Sequence, residues 1–295
     1  GTVKDSLAKY VKNMDNFIYA AEAKGYNKAI TPGRFLITPN MDNYSLITSL
    51  GRNVPVRVSF NNQETLQKLA ERLAKQTEPT AQDYLTAFTD PDFLEEYGFT
   101  ADNVLSAFMP NTYEFYWNVS AIKVRDKLIR EYKKFWNEER KAKADSLNLT
   151  PIQVTILASI VQKESAKVDE RPRVAGAYLN RMKINMPLQA DPTVIYAIKK
   201  ESGDFDQVIK RVFHNDLKLN SPYNTYANLG LPPGPISMPD ISSLEAVLNF
   251  EKHDYIYFCA SVEKFGYHDF TNNYADHLKN AAKYSAWVEK QNYQR

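Results

Sequence analysis

Glu164 is the residue whose surroundings say most about chemistry. Leu157, Ile160, Val161 and Glu164 fall at i, i+3, i+4 and i+7, so they share one face of a predicted helix over 150–164. A charged carboxylate on an apolar stripe is costly. Burial raises its pKa, and a carboxyl that stays protonated near neutral pH can serve as a general acid. The same residue also reads as one half of a helix-end salt bridge, because Lys163, Lys167, Arg171 and Arg173 lie close in the chain.

Three motifs read as walls of a preformed groove. Leu188-Gln189-Ala190-Asp191-Pro192-Thr193 sets polar groups among fixed backbone, and Ser221-Pro222-Tyr223-Asn224-Thr225-Tyr226 adds two aromatics. Gly230-Leu231-Pro232-Pro233-Gly234-Pro235-Ile236 is nearly all backbone constraint, and seven of the fifteen prolines fall between 187 and 239. Aromatic faces and amides suit carbohydrate, since rings cover the apolar face of a sugar and amides bond hydroxyl and acetamido groups. The same residue types also build plain structural turns.

Other chemistries lack their patterns. The histidines are His214, His253, His268 and His277, with no HExxH and no i, i+4 pair for zinc. His268, in Gly266-Tyr267-His268-Asp269-Phe270, follows a predicted strand and is placed to line a site. GxSxG, P-loop and GxGxxG patterns are absent. The single cysteine, Cys259, cannot form an internal disulfide and reads as a small core residue.

These residues need elements to hold them. Thr150 as N-cap, Pro151 at the first helical position and Gln153 closing a capping box make 150–164 the best-punctuated helix. Helical spacing also predicts helices over 5–23 with Gly25 as a stop, and over 44–50, 121–144, 174–182 and 273–291. Asn61-Asn62 is a candidate start for the helix carrying Leu66, Leu69, Ala70 and Leu73, and Ser242-x-x-Glu245 reads as a second capping box. Strands are predicted over 34–38, 54–60 and 255–262. The fold class is therefore α+β. A small subdomain over 1–52 precedes a larger part over 53–295, with the groove between the 150–164 helix and the 188–236 loops.

Composition agrees. At 295 residues, 43% hydrophobic and 24% charged, the chain can bury a large core and is not a disordered or fibrous sequence. Its formal charge of +2 gives no electrostatic case for nucleic acid. A membrane span takes about 20 apolar residues, and the longest run here is six, at 255–260. The chain begins Gly1-Thr2 rather than Met, and a trimmed upstream anchor is expected.

Several long motifs in one order resemble the MltG/YceG family. They are Leu157-Ala158-Ser159-Ile160-Val161-Gln162-Lys163-Glu164, then Glu170, then Val174-Ala175-Gly176-Ala177-Tyr178-Leu179-Asn180-Arg181. The 186–193, 223–226, 230–236, 255–260 and 266–270 runs follow. The resemblance is strong over 145–290, extends upstream to Phe108-Met109-Pro110-Asn111-Thr112-Tyr113, and covers 1–105 only in layout. It implies a LysM-like N-terminal subdomain and a catalytic domain without metal or organic cofactor. It implies that Glu164 is the catalytic glutamate of an endolytic murein transglycosylase. It implies that the bond cut is the β-1,4 bond between N-acetylmuramic acid and N-acetylglucosamine in nascent strands, leaving 1,6-anhydromuramoyl ends. The substrate-binding residues would be Glu170, Arg181, Gln189, Asp191, Thr193, Tyr223, Asn224, Thr225, Tyr226 and His268, with Gln189, Thr193 and Asn224 orienting the acetamido group. The partners implied are peptidoglycan glycan strands and cell-wall synthases. An N-terminal helix would anchor the protein in the cytoplasmic membrane, facing the periplasm or cell wall. Two positions depart from the family pattern: Asp276-His277-Leu278 stands where Glu-His-Asn is usual, and Asn111 where an acidic residue is usual. His277 is therefore assigned no role.

A single glutamate is chemically sufficient for that reaction. Ordinary glycosidases use two carboxylates. In a lytic transglycosylase the muramoyl C6 hydroxyl attacks C1 of its own sugar, so one residue protonates the leaving oxygen and later takes the C6 hydroxyl proton. The alternatives are a hydrolytic muramidase with Asp191 as second carboxylate, and a non-catalytic peptidoglycan-binding or scaffold protein.

Overall fold

Helix ends follow local capping chemistry throughout the chain. The structure is a computed structural model that describes residues 3–28 and 30–290. Its first unit holds α1 (Val3–Leu7), α2 (Met14–Ala23) and α3 (Asn43–Leu50). The single helix expected over 5–23 is thus two, because Asn13 turns the chain outward and caps α2 by accepting from the Asn16 N–H. Gly25 ends α2 at φ +69°. The strand expected over 34–38 does not form: Arg34 bonds to Asn53 and Val54, with no ladder beyond them. The LysM-like layout therefore gains no strand from this segment. Leu7, Phe17, Ala21, Leu46, Ile47 and Leu50 make a small core of their own.

The next unit is built on β1 (Pro55–Phe60), α4 (Leu66–Ala74), α5 (Ala81–Phe88), α6 (Pro91–Tyr97), β2 (Asn111–Tyr116) and α7 (Ala121–Phe135). The strands pair antiparallel, with Pro55 opposite Tyr116 and Phe60 opposite Asn111. Alternation turns Val56, Val58 and Phe60 inward to meet Tyr113 and Phe115. Thr65, not Asn61 or Asn62, caps α4. The long charged helix expected over 121–144 is broken. Trp136 is buried, Asn137 caps a new helix, and α8 (Glu138–Ser146) follows with two acidic residues in its first turn.

The last unit holds α9 (Pro151–Glu164), α10 (Arg171–Lys183), α11 (Asp191–Ser202), α12 (Ile241–Leu248), β3 (Tyr257–Ala260), β4 (His268–Thr271) and α13 (Tyr274–Lys290). The strands form an antiparallel hairpin with Tyr257 opposite Thr271. Of the closing helix expected over 273–291, Gln291 lies outside the described residues. The expected strand over 255–262 shortens to four residues, half-buried rather than core. Helix α12 starts at its cap Asp240, so the Ser242/Glu245 capping box is not made. Those two side chains instead meet Arg171 and Arg140.

Helix α9 is the axis of this unit. The Thr150 hydroxyl accepts from the Gln153 N–H, and the Gln153 side chain accepts from the Thr150 N–H, the reciprocal capping box its sequence predicts. Val154 through Val161 are all buried, because α8, α10, α11 and α12 surround the helix. The apolar face seen in the sequence is thus one side of a helix covered all round through its middle, with its first and last residues reaching the surface. Among the described residues no single helix is long and apolar enough to cross a membrane.

Candidate active site

Glu164 is the last residue of α9 and is only partly exposed. Its Oε1 accepts a hydrogen bond of 2.6 Å from the Tyr178 hydroxyl on α10. Loss of water around the carboxylate is the main force on it and raises its pKa. The Tyr178 hydrogen bond opposes that, the Asp191 carboxylate adds to it, and Arg181 opposes it. The outcome is a pKa pushed up to about 7. Its place at a helix C-terminus acts the same way, since the negative end of the helix dipole disfavours a second negative charge. Among the described residues Glu164 forms no salt bridge. Lys163 pairs with Glu64, and Arg173 with Glu251.

Tyr178 holds this arrangement and was not singled out from the sequence. Its ring is 1% exposed and stands edge-on to Phe258 of β3 at 5.5 Å. A buried tyrosine hydroxyl needs a partner, and here the partner is the Glu164 carboxylate. Burial and the adjacent Glu164 charge hold the Tyr178 hydroxyl well above its ordinary pKa, so it donates and does not ionise. Tyr178→Phe removes a hydrogen bond to the charged form of Glu164. Its pKa then rises further. In a pH–rate profile the alkaline limb of Tyr178→Phe should lie at higher pH than that of the unmutated protein. An unmoved or lowered limb would mean that the hydrogen bond does not reach the reacting proton.

A second carboxylate acts on Glu164 through its charge. Asp191 opens α11, is exposed, and its Oδ1 accepts a 2.6 Å bond from the Tyr226 hydroxyl. The charges of both Asp191 and Glu164 hold the Tyr226 hydroxyl above its usual pKa, after burial, the largest cause. Gln189 stands two residues before Asp191 in the chain. It is exposed and held at φ +50°, a left-handed backbone that few non-glycine residues adopt. The backbone N–H of Gln189 donates to Thr225 O and that of Ala190 to Thr225 Oγ1, so a rigid support beneath enforces the strain.

Six of the ten residues expected to touch substrate are instead buried in that support. Thr193 and Thr225 share a 2.8 Å hydroxyl–hydroxyl bond at 0% and 1% exposure. Asn224 donates to Leu217 O and Leu219 O and accepts from the Tyr226 N–H, which spends its amide on the loop. Tyr223 packs on Tyr196 at 4.7 Å. Gly234 lies so close to the Asp102 carbonyl that a side chain there would overlap it. Arg181 donates to Ile256 O and Leu188 O, joining the hairpin to the 188–193 loop. Glu170 accepts from Ser165 Oγ, the His268 N–H and His268 Nδ1, tying the end of α9 to β4. Of the groups expected to orient an acetamido function, Thr193 and Asn224 are thus fully engaged elsewhere, and Gln189 remains open. Asp191, Tyr226 and the partly exposed His268 also reach the surface.

His277 stacks on Tyr257 at 5.2 Å, and its buried Nδ1 has no hydrogen-bond partner among the described residues. Burial and nearby Arg181 both hold its pKa down. Asp276 pairs with Lys279 and Asn273 instead of reaching the groove.

The arrangement offers a proton on a fixed carboxyl, a second carboxylate held by a tyrosine, and an exposed amide on the adjoining loop. Over 295 residues the chain is 29% identical to an endolytic murein transglycosylase of Bacillus subtilis, an alignment covering 93% of this chain and 78% of that one. A protein of the same name from Streptococcus pneumoniae is 37% identical over 139 residues, covering 47% of this chain and 25% of that one. A crystal structure of a YceG-like protein from Listeria monocytogenes superposes with a TM-score of 0.64 at 27% identity, over 91% of this chain and 90% of that one. The YceG-like family model matches residues 2–283, and the chain belongs to that family.

Proposed function

We propose that this protein is an endolytic lytic transglycosylase acting on peptidoglycan glycan strands, with Glu164 as its single general acid and base. The observation that carries this reading is the protonated-leaning Glu164 carboxyl, pinned by Tyr178 at the partly exposed C-terminal end of α9. Protonated Glu164 gives its proton to the oxygen leaving C1 of the muramoyl residue. The muramoyl C6 hydroxyl then attacks C1, and Glu164 takes that hydroxyl's proton. The carboxyl ends the cycle as it began, and no water is consumed. Gln189 is the group placed to hold the acetamido function whose oxygen supports the positive charge at C1. The names of the two relatives support the substrate class.

Asp191 favours a second reading, hydrolysis with two carboxylates, because its charge acts on Glu164. Mass spectrometry of digested glycan strands separates the two. Transglycosylation leaves 1,6-anhydromuramoyl ends, lighter by one water than the reducing ends of hydrolysis. Reducing ends from the unmutated protein would overturn the proposal in favour of the second reading.

The remaining parts of the proposal concern layout and place. A boundary near residue 52 is supported by the separate core of Leu7, Phe17, Ala21, Leu46, Ile47 and Leu50. The substrate class puts the site outside the cytoplasmic membrane, where glycan strands are made and where synthases would be its neighbours. An anchor upstream of Gly1 belongs to the same proposal.

A further inference from the structure

A cleft of about 650 Å³ lies beside the site without including Glu164. That is the size of a pocket for a small ligand. One wall is the segment after β1, with Asn61, Asn62 and Glu64, and the other is α11 with the 205–209 loop. Its charged groups are Lys68, Lys163 and Lys199 against Glu64 and Asp206, an excess of one positive charge. Glu64 accepts from both Lys163 and Lys199, at 2.7 and 3.0 Å, and Lys68 donates to Asp206 and Phe205 O. An ammonium has three donors, so Lys163 and Lys199 keep donors in reserve. Tyr196, Phe205 and Ile209 supply apolar surface.

Position gives this cleft its meaning. Neighbouring residues on a helix point about 100° apart. Lys163 lines the cleft while Glu164 faces the groove, and Pro192 lines it while Asp191 faces Tyr226. The ends of α9 and α11 thus form a ridge with a proton donor on one side and a basic cleft on the other. A substrate with a branch beside the scissile bond could reach both sides, and an anionic branch with apolar parts would suit this lining. The muramoyl residues of peptidoglycan carry such a branch, a short peptide bearing carboxylates and methyl groups.

We infer that the cleft between the 61–64 segment and α11 is a docking site for the carboxylate-bearing peptide stem of a muramoyl residue, gripped by Lys68, Lys163 and Lys199. This rests on the proposed glycan substrate. The test is calorimetric titration of the whole chain with an N-acetylmuramoyl peptide and with peptide-free N-acetylmuramic acid. Neither contains a bond the protein could cut. The peptide-bearing sugar should bind at least about tenfold more tightly, the effect of one charge-assisted hydrogen bond, and added salt should shrink the advantage. Lys68→Met and Lys199→Met should each remove most of it. Lys68 is the cleaner variant, because its partner Asp206 is 90% exposed and the pair adds little to folding. Lys200→Met, outside the cleft and paired with Asp102, should leave it intact. Equal binding of the two sugars, or an advantage that survives in both cleft variants, would overturn the assignment. Glycan cleavage by the unmutated protein is scored separately. Discrimination without cleavage would refute the transglycosylase and keep the cleft. Cleavage without discrimination would refute the cleft alone.

Discussion

Glu164→Gln should lower the rate of glycan-strand cleavage by about 10³-fold or more, since general acid and base work by one residue contributes 10²–10⁴-fold and here one residue does both. Glutamine keeps the shape of the side chain and can still meet the Tyr178 hydroxyl, so strand binding should persist. The loss should fall on kcat. A variant within tenfold of the unmutated protein would remove Glu164 from the chemistry. The same substitution has a second, independent readout. The Glu164 carboxyl binds its proton more tightly in the folded chain, at about 7, than in the unfolded chain, near 4.5. Between those values the folded state holds more protons, so this group's contribution to stability is present at low pH and is lost as pH rises through 7. Glutamine does not titrate. Glu164→Gln should therefore gain in stability relative to the unmutated protein from pH 5 to pH 8, by on the order of 1 kcal/mol or more. Denaturation at the two pH values checks it. A gap that does not widen would mean that Glu164 titrates as an ordinary glutamate.

How far the sequence carries the site depends on how local its signals are. The 150–164 helix was legible because Thr150, Pro151 and Gln153 act within one turn, and Glu164 stood out because its stripe was apolar. The 121–144 stretch misled, because helical spacing continues through Trp136 and Asn137 while burial of the one and capping by the other break the helix. The break was still written in Asn137-Glu138-Glu139, a cap followed by acidic first-turn residues. The partnerships that define the site join distant positions: Tyr178 to Glu164, Tyr226 to Asp191, Arg181 to Ile256. No spacing rule encodes these. Motif residues such as Asn224 and Thr225 read as ligand-binding because their side chains are polar. A buried loop needs the same polar atoms to satisfy its own backbone, and burial decides between the two uses. The cleft was invisible for a similar reason, since Glu64 meets Lys163 and Lys199 from a different part of the chain.

Arg181 shows that difference at its largest, and Arg181→Met tests it. The side chain is 7% exposed. Its Nε donates to Ile256 O at 2.6 Å and its Nη1 to Leu188 O at 2.5 Å, with the guanidinium over the Tyr257 ring at 5.7 Å. One residue thus ties α10 to the β3 hairpin and to the loop that holds Gln189 in its left-handed turn. Methionine fills similar volume but donates nothing. Three carbonyls, those of Ile256, Leu188 and the more distant Pro187, would lose a charged partner, and the expected cost is about 3 kcal/mol, within the range for breaking a buried polar link. Lysine, with one compact donor group, should recover part of it. A residue that merely contacted substrate would behave otherwise. Its loss would raise KM and leave the denaturation midpoint where it was. If Arg181 is the tie seen here, stability falls first and kcat falls with it, because Gln189 is no longer held. Removing its charge also withdraws one influence that keeps the Glu164 pKa down, so any remaining activity should persist to higher pH. A stable Arg181→Met protein with only a raised KM would return this side chain to the substrate.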